Sequence, residues 1–289
     1  MYHCYSPRRF LRLLLLDSII FSICAACFLI GRTLLAVSLP DDPVTLYAIM
    51  YHSVGGNTPS QYTVTPEQLE SDLRWLSLHG YTSVSAQQLC LYTQNKGDLP
   101  EKPVLITLDD GFYNNLSILL PLLEKYDMRA VVSVVGSYSQ YNAAADPHND
   151  LYSYLTWEDI SELAKSGRVE IGNHTWDMHT LSARRGCLPM EGESAEEFCA
   201  ALREDIYALQ YALHDNTGIM PFVFAYPFGS VSRQSIPVLR ECGFLMTLTC
   251  RELPNTITRD TNCLYSIGRY NRSGLMSTEE FMSKIEGSK

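Results

Sequence analysis

The sequence lacks the excess of positive charge that nucleic-acid-binding proteins carry, because 22 lysines and arginines face 32 aspartates and glutamates, a formal net charge of −10. A basic face is expected of a protein that binds phosphate backbones, so we predict no nucleic-acid partner. The chain also lacks internal repeats and the H-E-x-x-H helix pattern, which argues against a metallopeptidase. A polysaccharide partner is compatible with this charge, since neutral or cationic sugars need no basic groove.

The cysteines beyond residue 43 lack the C-x-x-C spacing that is typical of structural zinc sites. They are Cys90, Cys187, Cys199, Cys242, Cys250 and Cys263. They could form disulfides outside the cytoplasm, but the hydrophobic core of a domain of this size is large enough to stabilise the fold without disulfides. We interpret them as ordinary buried thiols.

The N-terminal 37 residues combine a basic start with a long apolar run. Residues 1–12 contain three arginines and no acidic residue, and residues 13–37 are mostly apolar. The run is closer to the ~20 residues of a membrane-spanning helix than to the ~7–15 of a signal-peptide core. We therefore predict a cytoplasmic N-terminus, a single membrane-spanning signal anchor at 13–37 and a linker at 38–43.

Two alternatives to the anchor stay open. Ala36-Val37-Ser38 is an acceptable cleavage site, so the run could be a cleaved signal peptide and the mature protein secreted. A buried core helix is the other alternative, which the clustered arginines disfavour. In both membrane-related interpretations, residues 44–289 form one large domain outside the cytoplasm.

Residues 44–289 alternate between short apolar strands and helices of about ten residues or more. Such alternation predicts parallel strands joined by right-handed crossovers. About eight strands can be counted, which predicts an α/β fold of the (β/α)-barrel type with its site at the carboxyl ends of the strands.

Two adjacent carboxylates follow a buried strand near the middle of the chain. Pro103–Leu108 is an apolar, β-branched run, and Asp109, Asp110 and Gly111 come directly after it. An Asp-Asp-Gly turn is common as plain structure. Two like charges at an apolar strand end are nevertheless costly unless a cation or a proton separates them.

A second strand end supplies histidines. The apolar residues around Val169–Ile171 lead into a loop that contains His174 and His179. Histidine and aspartate are ligands that zinc prefers, and three protein ligands with one open position are typical of a catalytic metal site. A loop histidine pair alone would be unremarkable, but together with two aspartates at strand ends it favours a metal.

These segments resemble the motifs of the polysaccharide deacetylase family (NodB-homology domain, carbohydrate esterase family 4). Thr107–Gly111 resembles its T-F-D-D-G motif, and His174 to His179 resembles H-[ST]-x-x-H with one additional residue between the histidines. Phe224–Gly229 resembles R-x-P-x-G, with Ala225 where the arginine usually stands. The resemblance covers roughly residues 44–272 and implies a distorted (β/α) barrel of seven or eight strands.

The resemblance also implies roles for individual residues. It assigns Asp109 as the catalytic base and Asp110, His174 and His179 as metal ligands. It places the oxyanion near the backbone N–H of Phe112. The third motif suggests Tyr226 and Pro227 as further residues near the substrate.

Two expected groups are missing from their usual places, and we assign replacements. Arg269, directly after the last predicted strand at Leu264–Gly268, is our candidate for the arginine that orients the base. No late L-x-H motif supplies the general acid. His52 ends the first strand in a Y-H element that resembles the circularly permuted poly-β-1,6-N-acetylglucosamine deacetylase branch, so we assign the acid to His52.

The resulting prediction is a metal-dependent hydrolase that removes acetyl groups from N-acetylglucosamine residues of a cell-surface polysaccharide or peptidoglycan. Zinc is the expected metal, with cobalt or nickel as alternatives, because histidine and aspartate suit all three. The rival hypothesis is a non-catalytic module that binds cell-wall glycan through a degraded site. The longer histidine spacing and Ala225 are the features that keep it open.

Overall fold

The computed structural model describes residues 7–36, 43–142 and 146–287. The chain divides into two compact units, Met1–Asp42 and Pro43–Lys289. Half of the predicted basic segment (1–6) and nearly all of the predicted linker (38–42) lie outside the described residues.

The first unit contains one helix, α1 (Pro7–Ala36), over the apolar run. The side chains described in it are exposed. Within the described portion of the chain, no helix is both long and apolar enough to cross a membrane. This finding does not support the predicted spanning helix, and the anchor stays a prediction.

Among its described residues, the second unit has eleven strands, nine of them in one sheet. In chain order they are β1 (Val44–Tyr51), β2 (Ser53–Val54), β3 (Thr63–Val64), β4 (Thr82–Ser83), β5 (Pro103–Leu108), β6 (Ala130–Val134), β7 (Val169–Asn173), β8 (Val223–Ala225), β9 (Met246–Leu248), β10 (Asn255–Ile257) and β11 (Tyr270–Asn271). The main order across the sheet is β10-β1-β5-β6-β7-β8-β9, with β11 on β1 and β4 on β5. Strands β2 and β3 form a separate parallel pair.

Helices connect most of these strands. They are α2 (Pro66–Leu78), α3 (Ala86–Thr93), α4 (Leu120–Lys125), α5 (Trp157–Lys165), α6 (Ala195–Thr217), α7 (Ser235–Glu241) and α8 (Thr278–Glu286). Five of them, α2, α3, α5, α6 and α8, begin with a complete capping box, in which a Ser or Thr and the residue three positions on satisfy each other's backbone N–H groups. The chain therefore marks most of its helix starts locally.

The sheet is curled and mostly parallel, which confirms the coarser part of the fold prediction. Ile267 pairs with Leu248 of β9, and Tyr270 of β11 pairs with Ile49 of β1. The short segment from Ile267 to Tyr270 thus contacts β9 at one end of the strand order and β1 near the other end. The exception to parallel pairing is β10, which runs antiparallel to β1.

The last predicted strand, 264–268, is wrong in position. Thr261–Leu264 forms a short helical turn, and the only pairing in the predicted stretch is the single bridge at Ile267. The regular ladder begins later, at Tyr270. The apolar residues of this stretch are buried without extended pairing, so hydrophobicity alone misplaces the strand.

The core lies on both faces of the sheet. Strand β5 is buried along its whole length, as its continuous apolar pattern predicts. The apolar residues Phe198, Leu202, Ile206 and Leu209, which recur at helical spacing on α6, are fully buried and belong to the core. Every cysteine that the structure describes is a free thiol.

Candidate metal and catalytic site

Three predicted ligands meet at the carboxyl ends of β5 and β7. The Oδ1 atom of Asp110 lies 3.2 Å from Nε2 of His179 and 3.6 Å from Nε2 of His174. One ligand atom from each residue lies within 4.8 Å of the others. The parallel sheet therefore brings Asp110 together with histidines that lie 64 and 69 positions further along the sequence.

The turn after β5 aims the two neighbouring aspartates at different partners. Asp110 and Gly111 both adopt left-handed backbone conformations, with φ of 72° at each. Aspartate tolerates this region better than most residues, and glycine enters it freely. A Cβ at Gly111 would also lie 2.9 Å from a methyl carbon of Val134, so the turn requires glycine.

His174 is held in one orientation by the main chain. Its Nδ1 lies 2.8 Å from the carbonyl oxygen of Ala225, which ends β8. The nitrogen facing a carbonyl must donate, so the proton is on Nδ1 and the lone pair is on Nε2. Burial lowers the pKa of His174 to about 3, which keeps the ring neutral. A neutral ring with a free Nε2 is what a metal ligand requires.

His179 has an analogous support from a side chain. Its Nδ1 lies 3.0 Å from Oη of Tyr138. Burial lowers the pKa of His179 as well, so this ring is also neutral near pH 7. Its Nε2 faces Asp110, as that of His174 does.

The donor set fits a divalent cation. Although two imidazole nitrogens are nearby, the buried Oδ1 atom of Asp110 has no hydrogen-bond partner in the part of the chain that the structure describes. Burial, reinforced by the charge of Asp109, raises the pKa of Asp110 to about 6. Ligands ~2.0–2.2 Å from a tetrahedral zinc ion lie about 3.3 Å apart, close to the two separations seen here. A carboxylate oxygen and two nitrogen lone pairs converge without a proton between them, which is the arrangement that a metal ion stabilises.

Asp109 makes a buried, bidentate ion pair with Arg269. The guanidinium donates to Oδ1 at 2.8 Å and to Oδ2 at 2.7 Å, and neither side chain is more than 3% exposed. Arg269 also donates to Oγ1 of Thr107 and to the carbonyl oxygen of Thr249. Burial alone would raise the pKa of Asp109, but Arg269 outweighs it and holds the pKa well below its usual range. Asp109 is thus an ionised carboxylate beside the ligand set.

His52 lies in the same cavity, on the wall formed by the end of β1. Its Nδ1 is buried and has no hydrogen-bond partner among the described residues, and the residue lines the cavity. The ring packs edge-on against Tyr62, with centroids 4.9 Å apart. The side-chain amide of Asn115 donates to the carbonyl oxygen of His52 and holds its backbone.

The cavity measures about 580 Å³, and its lining includes His52, Asp109, Asp110, His174 and His179. Its lining includes residues that the sequence analysis did not select: Gln61, Tyr62, Leu181, Arg185, Phe228, Cys250, Glu252 and Asn271. Most of them come from loops, where no periodic pattern marks a side chain as facing the site. Phe228 was recognisable in principle, because it lies in the third motif.

Two predicted substrate residues are placed elsewhere. The ring of Tyr226 is fully buried against Phe224, and its hydroxyl lies 3.0 Å from that of Ser235. Pro227 is buried too, and neither lines the cavity. The chain turns at Phe228, whose φ is 56°, and the ring of Phe228 reaches the site instead, 4.5 Å from that of His179. The two side chains therefore do not reach the cavity, and a role for Tyr226 and Pro227 near the substrate stays a prediction.

Phe112 does line the cavity. It follows the left-handed turn and faces Tyr154 in an isolated bridge, with the two rings stacked 4.9 Å apart. The flanking backbone groups are paired, through the N–H of Tyr113 and the carbonyl of Gly111. The position is thus compatible with an N–H offered to a ligand.

A family model described as polysaccharide deacetylase matches residues 96–247, more than half of the 289-residue chain. The chain belongs to the polysaccharide deacetylase family. The matched region contains Asp109, Asp110, His174 and His179, whereas His52 and Arg269 lie outside it. The two residues that we assigned as replacements thus come from flanking segments.

Curated relatives in this family include the poly-beta-1,6-N-acetyl-D-glucosamine N-deacetylases of Escherichia coli K12 and Staphylococcus aureus MRSA252. The first is 28% identical over 223 residues, covering 70% of this chain and 33% of the relative. The second is 26% identical over 205 residues, covering 71% and 66%. The chain therefore spans about a third of the length of the Escherichia coli protein.

Solved structures of deacetylases share the fold. A de-N-acetylase from Aggregatibacter actinomycetemcomitans superposes with a TM-score of 0.70 at 25% identity, covering 85% of this chain and all of that one. IcaB from Ammonifex degensii gives a TM-score of 0.68 at 23% identity, covering 84% and 98%. The deacetylase fold thus accounts for most of the chain.

Proposed function

We propose that this protein is a metal-dependent N-deacetylase that removes acetyl groups from N-acetylglucosamine residues of a surface polysaccharide. The observation that carries the proposal is the convergence of Asp110, His174 and His179 beside the ionised Asp109 in one cavity. The names of the polysaccharide deacetylase relatives support the same reaction class.

The ligands Asp110, His174 and His179 would hold the metal, and zinc, cobalt and nickel all suit this donor set. When bound, such an ion polarises an acyl oxygen and makes a water more acidic. The charge of Asp110 would be balanced by the ion, and that of Asp109 is balanced by Arg269.

The remaining chemistry falls to groups of the chain itself. Asp109 accepts the proton of the attacking water, and Arg269 fixes the direction of its carboxylate. We assign to the backbone N–H of Phe112 the stabilisation of negative charge on the acetyl oxygen. His52 gives a proton to the sugar nitrogen as the C–N bond breaks, so that acetate and a free amine leave.

The polymer is identified by comparing substrates. Purified protein would be incubated with poly-β-1,6-N-acetylglucosamine, chitin oligomers, peptidoglycan and an O-acetylated glycan, and acetate would be measured. We expect release from an N-acetylated polymer. Binding to these glycans without acetate release from any of them, in metal-loaded protein, would instead favour the non-catalytic glycan-binding module.

Replacing His52 by alanine should lower turnover ~10²-fold or more, the usual scale of general acid catalysis, and leave metal affinity unchanged. The reason is that His52 lines the cavity but is outside the ligand set. The measurements are acetate release against pH and bound metal by elemental analysis. His214→Ala, an exposed histidine on α6, is the control and should retain full activity. Wild-type turnover in His52→Ala at every pH would assign the proton to another group.

We also propose that residues 44–289 lie outside the cytoplasm, tethered by α1. Support comes from the three arginines that precede the apolar run and from the exposed leucine and isoleucine side chains of α1. A periplasm-dependent reporter fused after residue 43 should be active. A fusion active only in the cytoplasm would reverse the topology. Recovery of a soluble protein beginning near Leu39 would indicate a cleaved signal peptide instead.

A further inference from the structure

The two histidines of the ligand set are supported differently. Nδ1 of His174 is held by a main-chain carbonyl, that of Ala225. Nδ1 of His179 is held by a side-chain hydroxyl, that of Tyr138, at 3.0 Å. The first support survives any substitution of Ala225, whereas the second depends on one replaceable group.

We propose that Tyr138 is a positioning residue of the metal site, which fixes the tautomer and orientation of His179 and thereby sets metal affinity. The inference rests on the proposed metal-dependent function, since it concerns the same ligand set. For Nε2 of His179 to offer a lone pair toward Asp110, the proton must be on Nδ1, and Tyr138 is the acceptor for it. Partners of this kind are worth ~10–100-fold in metal affinity in other sites.

The backbone holds Tyr138 and the histidine loop in register. Tyr138 begins a helical turn, Tyr138–Asn142, just beyond β6. The N–H groups of Gly136 and Ser137 donate to the carbonyls of Thr175 and Trp176, between the two histidines. A Cβ at Gly136 would lie 2.3 Å from the Trp176 ring, so the two segments approach closely. The residue that carries the hydroxyl is thus tied to the loop that carries His179.

Aromatic packing also holds the ring of Tyr138 in place. Its centroid lies 4.5 Å from that of Tyr154, which stacks on Phe112. The same row of rings therefore connects His179 with the turn that follows Asp110. Because the ring is fixed by this packing, removal of the hydroxyl alone is a mild change that leaves the row in place.

The test is a Co²⁺ titration of the full-length metal-depleted protein against a competing chelator, with the visible absorption of bound Co²⁺ as a second readout. Tyr138→Phe should weaken Co²⁺ binding ~10–100-fold and alter the absorption bands. Tyr141→Phe is the matched control, because Tyr141 lies on the same turn, is 64% exposed and packs near Trp176 instead. Tyr141→Phe should bind Co²⁺ as the wild type does.

Three results would overturn the proposal. The first is Co²⁺ affinity in Tyr138→Phe within twofold of the wild type. The second is an equal loss in Tyr141→Phe, and the third is a large drop in the melting temperature of metal-free Tyr138→Phe, which would indicate general damage. Wild-type protein that binds Co²⁺ but releases no acetate would contradict the proposed activity and leave the role of Tyr138 intact.

Discussion

Replacing His174 by alanine should abolish metal binding and acetate release together. His174 is buried, neutral and fixed by Ala225, so its Nε2 has no replacement in the ligand set. Two remaining ligands leave a site that cannot compete with water for zinc at ordinary concentrations. Bound metal would be measured by elemental analysis after dialysis, and acetate by a coupled assay.

The control for this variant is a histidine of the same chain outside the site. His214→Ala should retain both metal and activity. His179→Ala is a second test variant, because its ring is less buried and its loss disturbs the core less. Full acetate release by His174→Ala after exhaustive chelation would contradict the ligand assignment.

Replacing Arg269 by methionine should destabilise the protein by about 3–5 kcal/mol and lower turnover strongly. The substitution leaves the carboxylate of Asp109 buried without its partner, and breaking a buried ion pair in this way typically costs that amount. At ~2–4 °C per kcal/mol for a domain of this size, the melting temperature should fall by roughly 6–20 °C. Thermal unfolding and acetate release are the two measurements.

The difference in the free energy of unfolding between the wild type and Arg269→Met should also depend on pH. Arg269 holds the pKa of Asp109 below its usual value, so its stabilising effect is present above the unfolded pKa, about 3.9, and is lost in stronger acid. In Arg269→Met the unpaired carboxyl should titrate at higher pH, and protonation removes the buried charge. The gap between wild type and variant should therefore narrow as the pH falls toward 4.

Arg203→Met is the control, because Arg203 pairs with Glu241 on the surface. An exposed pair contributes little, so the melting temperature should hardly move. A shift in Arg269→Met no larger than that of Arg203→Met would mean that Arg269 does not hold Asp109 in solution.

The sequence was informative wherever a strand end and a chemical requirement coincided. The run before Asp109 predicts a buried strand, and two adjacent carboxylates demand separate partners. The structure supplies Arg269 for one and the two histidines for the other. Parallel pairing brings such strand ends together, so the cluster could be predicted without a structure.

Side-chain direction in the loops could not be predicted in the same way. Tyr226 was expected near the substrate because it lies in the third motif, but its ring enters the core and Phe228 reaches the cavity. The difference arises from one left-handed residue, Phe228, which the sequence does not reveal because bulky residues seldom adopt that conformation. Tyr138 could not be selected from the sequence, because a single aromatic residue at the start of a short helical turn belongs to no periodic pattern.

The positions of the last strands also could not be predicted from the hydrophobic pattern of the sequence. The antiparallel β10 has only three residues, Asn255–Ile257. No helix lies between β9 and β10 in the chain, so the alternation of strands and helices does not predict this strand. Its pairing with β1 is supported by the side chain of Asn255, whose amide donates to the carbonyl oxygens of Leu46 and Gly268 and whose Oδ1 accepts from the N–H of Gly268. Such tertiary contacts decide a short strand more than its own composition does.

The central claim is that acetate release requires a metal held by Asp110, His174 and His179. It is tested most directly by measuring acetate from an N-acetylglucosamine polymer before chelation, after chelation and after zinc is added back to the same sample. We predict that acetate release stops on chelation and returns when stoichiometric zinc is added. In parallel samples, cobalt or nickel should restore release as well. Release that continues unchanged in protein shown by elemental analysis to contain no metal would contradict the account.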